Sequence, residues 1–226
     1  STVKLMAAVI AVEELGNDLE RRITVPVEAI LSVQGNNIKL KRDEVLTVRE
    51  LLYALICGGA NDAANVLAFE ISGSVEEFVK KMNEKAKEIG AVNTNYMNVS
   101  GIHHPAMVTT AKDTAIIAAY AAHSEFICEV SSAEKYVIQP TNKSGARTIY
   151  NKNCYFATNM EYKYIWKVPR GLNAGFTAEG GYCVATTASK DGLTYVVTVM
   201  GAKADDNYIY SYTEAAKLIK WALKAY

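Results

Sequence analysis

The stretch STVKLMAAVIAVEEL (residues 1–15) combines a helical pattern with a pair of reactive side chains. Its apolar residues recur at helical spacing, and Gly16-Asn17 is a plausible stop. A helix would place Ser1 and Lys4 on one face. A serine hydroxyl becomes a nucleophile when a base takes its proton, and a lysine with a lowered pKa is such a base. The stretch predicts either this pair or a serine N-cap followed by a solvated lysine.

The serine–lysine spacing alone does not decide between these two interpretations. Ser132 and Lys135 repeat it without obvious companion residues. The remainder of the chain therefore has to supply the context that distinguishes a reactive pair from a helix cap.

The composition indicates a folded globular protein. Half of the 226 residues are hydrophobic, and 24 basic residues balance 24 acidic ones. This balance gives no sign of a nucleic-acid-binding protein, and no apolar run has the ~18–20 residues of a membrane span. The cysteines and histidines show no metal-binding spacing, so we expect neither a metal nor another cofactor. Cys57 and Cys183 lie among apolar residues, which is typical of small buried side chains.

The order of elements predicts an α+β fold, because helices come first, antiparallel strands follow, and one helix closes the chain. Capping boxes are predicted at Thr47–Glu50 and Ser74–Glu77, and a further cap at Ser211–Glu214. Lys190-Asp191-Gly192 predicts a hairpin turn between the last two strands. Residues 23–47 are predicted as extended segments and turns. Helices are predicted over about 47–57, 61–71, 74–90 and 110–123, and strands over about 135–140, 147–153, 171–177, 180–189 and 193–202.

Three short motifs, in this order and at this rough spacing, resemble those of the serine D-alanyl-D-alanine carboxypeptidases, which are low-molecular-mass penicillin-binding proteins. The first motif of that family, S-x-x-K, is present as Ser1 and Lys4. The second, S-x-N, is replaced by Gly59-Ala60-Asn61. The third, K-T-G, is replaced by Asn173-Ala174-Gly175, followed by Phe176-Thr177 as in the family. The resemblance covers nearly all of the chain.

The resemblance implies a single domain over residues 1–226 with the penicillin-binding protein or serine β-lactamase-like transpeptidase fold. Its helical part would span about 1–130, and its sheet and closing helix about 131–226. The family has one or two further strands before its first motif, so we expect the chain to lack them. In the family the serine attacks the bond between two D-alanines of a peptidoglycan stem peptide, and the lysine is its base.

Carried over residue by residue, the resemblance implies catalytic roles for Ser1, Lys4 and Asn61, the last bonding either the lysine or the substrate amide. It implies substrate binding at the remaining motif positions, which are Gly59, Asn173, Ala174, Gly175 and Thr177. The implied partners are peptidoglycan stem peptides and β-lactams, with no nucleic acid. The implied location is the bacterial cell envelope or the exterior, with membrane association only through segments outside this chain.

The two altered motifs leave several interpretations open. Gly59 has no side chain to relay a proton, and Asn173 is neutral and cannot pair with a carboxylate. Lys167 or Arg170 is then a replacement cation or a solvated charge. The protein is an impaired or re-targeted enzyme, an inactive member that binds peptidoglycan or regulates, or a deliberately mutated one. A further alternative is a hydrolase whose N-terminal amine activates Ser1.

The last helical stretch, TEAAKLIKWALKAY (residues 213–226), carries three lysines beside a tryptophan. One interpretation is a helix that lies on a membrane surface. The interpretation we favour is a closing helix that packs on the sheet, because amphipathic helices generally face a protein core.

Overall fold

The computed structural model describes residues 2–31, 33–156, 170–206 and 208–225. Ser1 and Lys167 lie outside these ranges. The helices of the described part are α1 (Val3–Leu15), α2 (Val48–Ile56), α3 (Asn61–Ser72), α4 (Val75–Glu88), α5 (Ala111–Ala121), α6 (Glu125–Ser132) and α7 (Tyr210–Ala225). The strands are β1 (Arg22–Thr24), β2 (Val45–Thr47), β3 (Lys135–Ile138), β4 (Arg147–Tyr150), β5 (Arg170–Thr177), β6 (Gly181–Lys190) and β7 (Leu193–Ala202).

Helix α1 lies at the centre of the helical part. Residues 5–11 are all buried, and the helix packs against α2, α3, α4, α5, α6 and strand β5. Its burial on nearly every side explains why its sequence is apolar over more than one face. The helix therefore holds its first turn, which carries Lys4, at a fixed place in the core.

Strands β5, β6 and β7 form an antiparallel sheet in that order, and two short antiparallel pairs, β1–β2 and β3–β4, accompany it. Helices α5 and α7 pack against β7, and α6 packs against β5. This arrangement of helices and antiparallel sheets confirms the predicted α+β fold.

The hairpin between β6 and β7 has the turn that its sequence predicts. Asp191 and Gly192 have φ values of 51° and 81°. Two consecutive residues with positive φ are the mark of a type I′ turn, which suits the twist of a two-residue hairpin.

The two predicted capping boxes differ in the structure. The Thr47 hydroxyl accepts from the Glu50 N–H while the Glu50 carboxylate accepts from the Thr47 N–H, so this box is complete. The Ser74 hydroxyl accepts from the Glu77 N–H and caps α4, but within the described residues the Glu77 carboxylate does not accept from the Ser74 N–H, so only half of this box forms. The third prediction is wrong, because α7 begins at Tyr210 and the buried Ser211 hydroxyl has no hydrogen-bond partner in the part of the chain that the structure describes.

Two further regions compare differently with the prediction. The region 23–47, predicted as extended segments and turns, contains among its described residues the short strands β1 and β2 and a 3₁₀ turn at Val27–Ala29. Helix α6 was not predicted, although Ser124 caps it by accepting from the Ile127 N–H.

The closing helix packs on the sheet, as we favoured. Its residues Tyr212, Ala215 and Ile219 belong to a second apolar core with Val184 and Val197 of the sheet. The opposite face of the helix is exposed. None of the helices in the described ranges is long and apolar enough to cross a membrane.

Gly171 sets the distance between β5 and α6. A Cβ added at Gly171 would lie 2.6 Å from Ser131 Cβ and 2.7 Å from Ser131 C. We therefore expect Gly171→Ala to force β5 away from α6 and to lower the free energy of unfolding by about 1–3 kcal/mol. Chemical denaturation measures this change. Gly145→Ala is the matched control, because an added Cβ there meets nothing within 4 Å; equal effects of the two changes would contradict the prediction.

Candidate active site

Lys4 is a buried amine at the start of α1. Its side chain is 3% exposed, and burial lowers its pKa from the ordinary value of 10.5 to about 8. The cause is desolvation, which disfavours the charged form of a lysine. Its Nζ donates to the carbonyl oxygen of Ser100. A lysine in this state holds a substantial neutral fraction near neutral pH, as a general base requires.

The second copy of the serine–lysine spacing has a different environment. Lys135 is exposed on strand β3, and Ser132 is the last residue of α6. This pair therefore lacks the burial that distinguishes Lys4.

The segment of the second motif is a tight turn between α2 and α3. Gly59 has a φ of 64°, in the left-handed region that favours glycine. The Asn36 side chain donates to the Gly58 carbonyl at 2.6 Å, and the Asn36 carbonyl accepts from the Asn61 N–H at 2.8 Å. The turn is thus held in place by the 34–40 loop, which covers it.

Asn61 forms no hydrogen bond to Lys4 in the described part of the chain, and its bond to a substrate amide stays a prediction. Its Nδ2 donates to the Gln34 carbonyl at 2.7 Å, and its buried Oδ1 has no partner among the described residues. The amine of Lys4 donates to Ser100 instead. Asn61 and Ser100 line a cavity of about 200 Å³. Asn61 therefore lies close to Ser100, whose carbonyl accepts from Lys4. The Oδ1 of Asn61 remains available to accept a hydrogen bond.

The third motif lies on strand β5, at the edge of the three-stranded sheet. Asn173 pairs with Ala185 and Gly175 with Cys183 on β6. Asn173 is 5% exposed, and its Oδ1 has no hydrogen-bond partner among the residues that the structure describes. It replaces the charged family lysine with a neutral amide. A buried polar atom without a partner is unusual and marks a place where a ligand or water can bind.

One cavity of about 330 Å³ brings parts of all three motifs together. Lys4, Gly59, Asn173, Ala174 and Gly175 line it. Thr177 instead lines a neighbouring cavity of about 260 Å³.

The two cavities share three lining residues, Gly175, Phe176 and Cys183, so they adjoin along strand β5. A depression that follows the edge of a strand can accept an extended peptide, which adds its backbone hydrogen bonds to the sheet. This groove is lined by all the predicted site residues of the described part except Asn61, which lines the separate cavity beside Ser100.

Sequence reasoning missed several residues of this groove. The larger cavity is also lined by Lys152, Asn153 and Ser211. In the described part of the chain, the side chains of Asn153 and Ser211 each have a buried polar atom without a hydrogen-bond partner. Cys57 is buried as expected, but the prediction for Cys183 is wrong, because its half-buried side chain lines both cavities.

Comparison with known proteins gives three consistent matches. D-alanyl-D-alanine carboxypeptidase DacF of Bacillus subtilis is 35% identical over 176 residues, which are 77% of this chain and 43% of that protein. DacC of Escherichia coli is 26% identical over 99% of this chain and 54% of its own length. The solved D-alanyl-D-alanine carboxypeptidase of Mycobacterium tuberculosis superposes with a TM-score of 0.85 at 26% identity, over 99% of this chain and 81% of that one.

The chain spans about half the length of these two curated relatives. Its fold is that of the penicillin-binding DD-peptidases. The family model described as D-alanyl-D-alanine carboxypeptidase, peptidase family S11, matches residues 1–204. Because this match covers most of the chain, the protein belongs to the S11 family of D-alanyl-D-alanine carboxypeptidases.

Proposed function

We propose that the protein hydrolyses the terminal D-Ala-D-Ala bond of peptidoglycan stem peptides through an acyl-enzyme on Ser1. The observation that carries this proposal is Lys4, a buried amine whose pKa is lowered to about 8 and which lines the same cavity as the third motif. The names of the relatives, which are D-alanyl-D-alanine carboxypeptidases, support the choice of substrate.

In the proposed reaction, Ser1 Oγ attacks the carbonyl carbon of the penultimate D-alanine while Lys4 Nζ takes the hydroxyl proton. The carbon–nitrogen bond then breaks, the leaving amine receives a proton, and free D-alanine departs. Water attacks the resulting ester, with a base again taking its proton, and releases the shortened peptide and Ser1. No cofactor enters these steps.

The altered motifs affect two parts of this reaction. Gly59 supplies no hydroxyl, so the proton passes through Lys4 or water. Asn61 Oδ1, which has no partner, is available to accept from the substrate amide. Asn173 offers hydrogen bonds to the substrate but no charge. We therefore expect slow turnover relative to a member with intact motifs.

The acylation of Ser1 tests the proposal. We expect incubation with a reactive penicillin to add the mass of one penicillin to the intact protein, since a penicillin acylates the same serine as the peptide. The Ser1→Ala variant should show no adduct. Ser132→Ala is the matched control, because it removes the serine of the other serine–lysine pair, and it should retain the adduct. Release of D-alanine from an acyl-D-Ala-D-Ala peptide is then measured directly.

A second function has its own supporting observation. The second motif has lost its hydroxyl at Gly59, and the third motif has lost its charge at Asn173. These losses are expected of a protein that binds peptidoglycan without turnover. Such a protein would bind the peptide but form no adduct over a long incubation while remaining folded. That result would contradict the enzymatic proposal and leave the binding role.

The cellular location follows from the same proposal. Peptidoglycan lies outside the cytoplasmic membrane, so an enzyme acting on its stem peptides works in the bacterial cell envelope or outside the cell. β-Lactams are expected ligands because they resemble the D-Ala-D-Ala terminus.

A further inference from the structure

The larger cavity of the groove carries positive charge in spite of the neutral Asn173. Among the described residues that line it, the charged ones are Lys4 and Lys152, and none is an aspartate or glutamate. Lys4 is buried and its amine donates to the Ser100 carbonyl. Lys152 is exposed and is therefore the lysine whose amine a ligand can reach.

The backbone at Lys152 is rigidly held. Its N–H donates to the Cys57 carbonyl at 3.0 Å. On one side, the buried Asn151 side chain donates to the carbonyls of Ser131 and Ala133 at 3.0 and 2.7 Å. The N–H of Asn153 on the other side donates to Asn151 Oδ1 at 2.8 Å. The side chain of Lys152 therefore starts from a fixed point on the wall of the cavity.

The stem of Lys152 passes beside the position that the second-motif serine has in the family. A Cβ added at Gly59 would lie 3.8 Å from Lys152 Cγ. Gly59 thus leaves this wall of the cavity without a side chain, next to a lysine. Within the described ranges, Lys152 Nζ has no ion pair and no hydrogen bond.

The other candidate cations fit less well. Arg170 is the first residue of β5 and lines neither cavity of the groove. It lies near Cys128, whose thiol pKa is raised by burial, and its charge opposes that rise. Lys167 lies outside the described residues. Lys152 is therefore a better candidate for the replacement cation than Lys167 or Arg170, which the sequence suggested.

We propose that Lys152 binds the C-terminal carboxylate of the peptide substrate, in place of the charge that the third motif has lost at Asn173. This inference rests on the proposed function, because it names the residue that recognises the terminus of that substrate. A lysine and a carboxylate form a charge-assisted hydrogen bond, which is stronger than the neutral bond that an asparagine offers.

The test compares an acyl-D-Ala-D-Ala peptide with its C-terminal amide. Binding of each is measured by calorimetry in the Ser1→Ala background, so that the ratio of the two dissociation constants does not depend on turnover. We expect the parent to prefer the acid by about tenfold or more. Lys152→Met should reduce this preference to about one, because methionine carries no charge. Lys152→Arg should keep it, because arginine retains a positive charge that can pair with a carboxylate.

The matched control is Lys87→Met, which removes an exposed lysine of α4 that lines neither cavity of the groove. It should leave the preference unchanged. The acid should also bind more weakly at high salt in the parent but not in Lys152→Met, because salt screens an exposed charge.

Three results would overturn the inference. These are an equal affinity of the parent for acid and amide, an unchanged preference in Lys152→Met, and no binding of either peptide. Failure of the proposed function is a separate result, because it appears as an absence of D-alanine release and of a penicillin adduct in the protein with Ser1 intact.

Discussion

Lys4→Met is expected to lower the rate of penicillin acylation at Ser1 by about 10²–10⁴-fold, the usual contribution of a general base. Methionine has a similar length and suits an apolar surrounding, so the variant should fold. In the parent, the acylation rate should rise with pH through about 8, the pKa of the Lys4 amine, because only the neutral amine accepts a proton. The variant should lack this rise. Rates from intact-mass time courses at several pH values measure both effects.

Lys4→Met is expected to stabilise the folded protein at pH 7, even though it lowers the rate of acylation. The Lys4 pKa is about 8 in the folded protein and 10.5 in the unfolded chain, so the unfolded state binds more protons between these values. Stability should therefore rise as pH increases from about 8 to 10.5, and the charged amine costs the folded state about 3 kcal/mol at pH 7. Lys4→Met removes that cost but leaves the Ser100 carbonyl without its donor. The lost hydrogen bond offsets about 1–3 kcal/mol of the stability gained.

Lys135→Met is the matched control for Lys4, since it removes the exposed lysine of the other serine–lysine pair. It should change neither the acylation rate nor the pH dependence of stability. An unaltered acylation rate in Lys4→Met would contradict the assignment of this lysine as the base. Denaturant titrations of all three proteins at pH 7 and pH 10 test the stability effect.

Elements with strong local signals could be predicted from the sequence. The Thr47–Glu50 box, the Asp191-Gly192 turn and the helix after residue 1 depend on contacts between near neighbours, which a local pattern contains. Helix α6 has only 8 residues and lies between helix α5 and a strand, so its period was too short to recognise. Its cap at Ser124 was a signal that could have identified it.

The composition of the groove was harder to predict, because it depends on residues that are far apart in the sequence. Lys152 reaches the wall beside Gly59 through the β3–β4 hairpin, and Ser211 comes from α7. No local pattern relates these positions to the motifs. The resemblance identified the motif positions, but it could not show that Lys4 would donate to Ser100 rather than to Asn61.

The loop over the second motif depends on one buried carboxylate, that of Asp62. Asp62 is 2% exposed at the start of α3. Its oxygens accept from the N–H groups of Ile38 at 3.1 Å and Leu40 at 3.0 Å. The same carboxylate lies at a helix N-terminus, where negative charge is favoured. Asp62 thus joins the 34–40 loop to the turn that contains Gly59.

Asp62→Ala is expected to lower the free energy of unfolding by about 3–5 kcal/mol, because two backbone N–H groups lose a charged acceptor. Since the 34–40 loop also holds the turn through Asn36, its release should slow acylation of Ser1 as well. Denaturant titration and penicillin time courses measure the two effects. Asp18→Ala is the matched control, since this carboxylate is exposed and forms no ion pair with the described residues. It should change stability by no more than about 0.5 kcal/mol. If Asp62→Ala were as stable as this control, the loop would be held by its other contacts, and Asp62 would have no structural role in the site.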